Sequence, residues 1–96
     1  MSISIGSRVR SFDFAGNLTD GTRTGRDLEG ERACFVEGEV VAFDHQEGCK
    51  RYRILVDYDV FGGEESSRRV GTLVYPPVNG TPSFLGGVTD FVEELV

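Results

Sequence analysis

The chain has no tryptophan, one lysine (Lys50), one histidine (His45) and two cysteines (Cys34 and Cys49). Zinc sites need four ligands at recognisable spacings, and neither a C-x-x-C nor an H-x-H pair is present. The two thiols fall at opposite ends of one hairpin arm, about 40 Å apart if extended, whereas a disulfide needs Cα atoms within ~7 Å. No leader with a charged, apolar and small-residue progression opens the chain, so the cytoplasm is the expected compartment and a structural disulfide is not expected. No apolar run approaches the ~20 residues that cross a bilayer, so no membrane association is expected. Phosphate cradles are missing as well. Gly62-Gly63 and Gly86-Gly87 are isolated pairs that open no helix, and such sites need one. Positive charge is in deficit, with 10 basic against 16 acidic residues and a net charge of −6. That balance disfavours generic attraction to nucleic acid or an anionic membrane.

What the chain does have is glycine, 13 of 96 residues, as many short strands joined by tight turns require. The length fits one domain, 1–96. Tyr52, Ile54, Val56, Tyr58 and Val60 alternate with Arg51, Arg53, Leu55, Asp57 and Asp59, the period of a half-buried strand. Ala33 to Phe43 reads as the preceding strand of a long hairpin. Cys34, Val36, Val40 and Ala42 share one face there, and Phe35, Glu37, Glu39, Val41 and Phe43 the other. Gly38 in mid-strand signals a bend or a close backbone approach. Near the N-terminus Val9 and Phe12 are out of phase, which predicts a bulge or bend. Residues 15–32 read as a long polar loop. Arg69 to Tyr75 reads as a strand stopped by Pro76-Pro77, and Asn79-Gly80 as a tight turn. Residues 90–96 read as a last strand or one helical turn. The expected fold is mostly β: a small SH3-like or Tudor-like barrel, or a strongly bent antiparallel sheet of 4–6 strands.

Several constellations carry chemistry on paper. His45 and Cys49 flank the hairpin turn, where a thiol–imidazole pair is nucleophilic only with a third, orienting group. None can be assigned, and turn residues are the plainer reading. Asp44, His45 and Cys49, or Asp57, Asp59, Glu64 and Glu65, offer metal-ligand chemistry without metal-ligand spacing. Tyr58, Phe61 and Tyr75 are the aromatics a cation cage would use. No catalytic, metal-binding or cofactor-binding residue is therefore assigned, and no cofactor is expected. Nine of the ten basic residues are arginine, the side chain that forks onto carboxylates and phosphates. Arg8, Arg10, Lys50, Arg51 and Arg53 are the candidate nucleic-acid or anion contacts. Their competing role is cross-strand ion pairing with Glu37 and Glu39. Tyr75, Pro76, Pro77, Val78, Asn79, Phe84 and Leu85 form the candidate interaction surface, a stretch stiffened by two prolines.

The stretches Val9-Arg10-Ser11-Phe12-Asp13-Phe14, Cys34-Phe35-Val36-Glu37-Gly38, Glu47-Gly48-Cys49-Lys50-Arg51-Tyr52, Tyr75-Pro76-Pro77-Val78-Asn79-Gly80-Thr81 and Gly86-Gly87-Val88-Thr89 are spaced over most of the chain. Together they resemble a family of small uncharacterised proteins of bacteria, phages and mobile (integron-type) gene cassettes. The resemblance implies a mobile-element accessory protein. It carries no activity and transfers no functional residue. The expected function is a non-enzymatic binding or interaction module that self-associates, as a dimer, through the extra apolar phase (Phe35, Val41, Phe43) and the Val78, Phe84 and Leu85 region. A nucleic-acid-binding accessory protein is the alternative. A small enzyme or ligand-binding protein, with a site at the 15–32 loop, His45 and Cys49, is the second.

Overall fold

The computed structural model describes residues 3–12, 34–46, 48–82, 88, 89 and 91–95. The expected 15–32 loop, Phe84 and Leu85 lie outside them. The described strands are β1 (Arg8–Ser11), β2 (Cys34–Gln46), β3 (Cys49–Phe61), β4 (Glu64–Ser66), β5 (Leu73–Val74) and β6 (Val92–Glu94). They form one six-stranded antiparallel sheet in the order β4-β3-β2-β1-β6, with β5 also paired to β3. The protein is thus mostly β, and of the two expected architectures it takes the sheet. Strand pairing does not close the sheet into a barrel. Among the described residues there is no helix, so none is long and apolar enough to cross a membrane. Residues 92–94 are strand rather than a helical turn.

Val9, Val40, Tyr52, Ile54 and Val92 form the buried core, with Ile3, Phe43, Val74, Val78 and Phe91 packed against it. These residues come from β1, β2, β3, β5 and β6 and from the segments beside them. A lone sheet buries such a set only by curling over its own face.

Two bulges produce that curl. Val40 lies opposite Ile54 but Ala42 opposite Arg53, so Val41 is an extra residue on β2. Beyond it the phase flips. Phe43 joins the core face opposite Tyr52, with ring centroids 5.6 Å apart, rather than sharing the face of the glutamates. On β3, Tyr58 lies opposite Glu37 but Val56 opposite Gly38, so Asp57 is the extra residue. The clean alternation of the sequence breaks there. Asp59 turns inward opposite Val36, while Tyr58 and Val60 turn to the outer face. On that face Phe12, Phe35 and Tyr58 make a second apolar layer, with successive ring centroids 6.0 and 6.2 Å apart. Phe12 is out of phase with Val9 because it belongs to this layer and not to the core. Gly38 sits at the pinch: a Cβ there would lie 2.0 Å from the Leu55 carbonyl oxygen.

The turns follow the local chemistry. Gly62 and Gly63 both have positive φ, +64° and +82°, as a two-residue hairpin requires. They return the chain as the three residues of β4. The expected strand from Arg69 to Tyr75 is trimmed to two residues. Gly71 takes φ +85°, and Arg69 is drawn off the strand path by Asp59. Asn79-Gly80 does form a tight turn, with Thr81 N–H donating to the Val78 carbonyl at 3.0 Å and Gly80 at φ +92°. The Asn79 carboxamide then reaches β6, donating to the Val92 carbonyl (2.7 Å) and accepting from the Val92 N–H (3.3 Å). One side chain thereby does for β6 what a pairing strand would have done.

Candidate functional site

All five basic candidates on β1 and β3 are engaged within the chain. Arg8 forks onto Asp57 at 2.6 and 2.7 Å. Arg10 donates twice to Glu37 and lies 4.4 Å from the centre of the Phe35 ring. Arg53 forks onto Asp44, Arg51 donates to the Tyr75 carbonyl at 2.9 Å, and Lys50 stands over Phe43 at 4.8 Å. The expected cross-strand ion pairing occurs at Glu37 but, among the described residues, not at Glu39, and Asp57 and Asp44 are further partners. Glu37 receives Arg8 and Arg10 from β1, because Glu37 lies opposite Arg10 in register. Glu39, exposed at the centre of the sheet, has no ion pair among the described residues.

The hydrogen bonds from Arg8 hold the Asp57 carboxyl below the ordinary carboxylate range, and those bonds raise Arg8 in return. A depressed carboxyl adds stability above its unfolded pKa of about 3.9 and loses it as pH falls through the lower folded value. Both side chains are about half exposed, so water and salt screen the pair to a few tenths of a kcal/mol. Urea unfolding of wild type and Asp57→Asn is expected to differ by that amount near neutral pH, and the gap should close by about pH 2. A gap independent of pH would refute the assignment.

The expected interaction surface divides. Tyr75 is exposed, Pro76 is buried, and Pro77, Val78 and Asn79 are half-buried. Val78 packs on the core and Asn79 holds β6, so this part of the segment builds the fold. His45 lies opposite Lys50 and Cys49 opposite Gln46. Adjacent strand residues point to opposite faces, which parts the imidazole from the thiol. Both cysteines are free thiols at opposite ends of the hairpin. Among the described residues no three His, Cys, Asp or Glu side chains gather where a metal would sit. Asp57 faces Arg8 while Asp59 faces inward to Arg69. The three cage aromatics stand apart: Tyr58 against Phe35, Phe61 beneath two arginines, and Tyr75 beside Arg51.

No protein-family model matches the chain, and neither the curated proteins nor the solved structures give a match.

Two features escape a reading by strand phase. The first is an exposed row across the sheet that is charged at one end and apolar at the other. Arg8, Glu39, Leu55 and Leu73 align across β1, β2, β3 and β5. Leu55 and Leu73 are each 43% exposed, with Tyr75 and the bulge residue Val41 also exposed. The signal available in the sequence was Leu55, an apolar residue in the polar phase. The second is a cleft of about 290 Å³ lined by Asp59, Phe61, Arg68 and Arg69. Asp59 is wholly buried. Its carboxylate accepts from the Arg69 backbone N–H at 3.2 Å and from the guanidinium at 3.2 and 2.7 Å. This places the chain after β4: Thr72 N–H donates to the Arg69 carbonyl, and Gly71 N–H to Val56 on β3. Arg68 and Arg69 stand 5.6 and 5.7 Å from the centre of the exposed Phe61 ring.

Proposed function

We propose that the chain is a non-enzymatic binding module that pairs with a second copy of itself through the outer face of β3 and β5. The observation that carries this reading is the opposed, exposed pair Leu55 and Leu73, with Tyr75 and Val41 exposed beside it. Contiguous exposed apolar side chains rimmed by polar ones are characteristic of association surfaces. The row itself is graded, from Arg8 and Glu39 at one end to the two leucines at the other. A two-fold apposition centred on the leucines sets Leu55 against the partner's copy of the Leu73 row and leaves the charges at the rim. Pro76 and Pro77 follow β5 and weaken its edge as a template for strand addition, which favours pairing face to face.

A stable interface buries about 800 Å² per partner, more than four side chains supply, so the dimer is expected to be weak, with a Kd in the range of about 10–100 μM. Sedimentation equilibrium across that range should show the wild-type mass rising towards twice the monomer, and Leu55→Asp should stay monomeric throughout. A wild-type mass that stays monomeric up to about 1 mM would sink the proposal. The nucleic-acid reading has no comparable support, since each of its five residues has an intramolecular partner. An origin on a mobile element rests on the resemblance alone.

A further inference from the structure

We propose that the cleft between β3 and the turn after β4 is a binding site for a small aromatic oxyanion, a single-ring aryl phosphate or aryl carboxylate. This goes beyond self-association and uses a different part of the sheet. The cleft, at about 290 Å³, is at the lower end of ligand-pocket volumes and has room for one ring and its anionic group.

Its chemistry is divided between two arginines. Arg69 is committed to the buried Asp59 through a two-point fork, so that pair adds little net charge. Arg68 follows it in space but not in pairing. Its guanidinium has no carboxylate partner among the described residues and is held over the Phe61 ring. Its backbone is also fixed, with the Arg68 N–H donating to Ser66 Oγ at 3.2 Å. A planar cation already held in place loses less freedom on binding and presents a fork to two oxygens of one anion. Phe61, 45% exposed, offers ring surface to an aromatic body. Glu64 lies opposite Phe61, and Glu65 opposite Val60. Both are exposed, and their charge opposes any anion, so a bare anion is weakly held and the ring contact decides selection.

The test is a titration of the full chain with phenyl phosphate, followed by amide chemical shifts, with inorganic phosphate as the comparison. The expected result is millimolar or tighter binding of phenyl phosphate, at least about fivefold tighter than inorganic phosphate, with shifts centred on residues 59–61 and 68–71. Arg68→Gln should weaken it about tenfold or more, and Phe61→Leu should remove the preference for the aryl ester. Both residues are exposed, so neither variant is expected to unfold. Equal affinity for the two anions, unchanged affinity in Arg68→Gln, or shifts centred instead on Lys50 and Arg53 would each overturn the assignment.

Discussion

Replacing Arg69 with methionine is expected to cost about 3–5 kcal/mol of folding stability, the loss found when one partner of a buried ion pair is removed. The cost falls on Asp59. Its side chain has no exposure to water, whereas that of Arg69 keeps about a quarter. Without the guanidinium, the buried carboxylate keeps the hydrogen bond from the backbone N–H of residue 69. For a chain of this size the melting temperature should drop by roughly 15 °C or more. Asp59→Asn alone should cost less, because the stranded arginine can turn to solvent and the amide is neutral. Adding Asp59→Asn to Arg69→Met should return part of the loss. Urea unfolding of the four proteins tests this. A loss below about 1 kcal/mol for Arg69→Met would mean that water reaches Asp59.

The second large effect belongs to Gly38. A methyl group there would overlap the Leu55 carbonyl oxygen, 2.0 Å away, and meet the Ile54 side chain at 3.1 Å. The obstacle is backbone of the paired strand, which moves only if the hairpin opens at its bulge. Gly38→Ala is expected to cost about 3 kcal/mol, the upper part of the range for overpacking. Gly48→Ala supplies the contrast. Gly48 has positive φ, +77°, but nothing within 4 Å of the added carbon, so only the left-handed backbone penalty of about 1–2 kcal/mol applies. Equal losses at the two positions would show that close approach is not what fixes glycine at 38.

Where composition and period were sufficient, the sequence was a reliable guide. Thirteen glycines and a ten-residue alternation imply short and long strands with tight turns, and a mostly antiparallel sheet results. The hairpin register follows from the same pattern: Cys34 lies opposite Phe61, and Arg53 opposite Ala42. The Asn79-Gly80 turn and the close approach at Gly38 were legible because each rests on one residue's backbone chemistry.

The candidate sites were less legible. Strand phase assigned Asp59 to the outer face and Phe43 away from the core. One extra residue at Asp57 and one at Val41 reversed both. A bulge adds a residue on one strand only, so its position depends on the partner strand and on curvature and leaves no periodic mark in its own sequence. The buried Asp59–Arg69 pair, the cleft beside Phe61 and the carboxamide bridge from Asn79 to Val92 all depend on it or on contacts between distant segments.

The sequence by itself determined the class of fold, the hairpin and the turns, because hydrophobic period and glycine conformation are local properties. Only the tertiary structure decided which charges are buried, which arginines lack a carboxylate partner among the described residues and which leucines face water. Those outcomes are set by how two bulged strands curl against β1, β5 and β6, and curl is a property of the paired sheet rather than of any one strand.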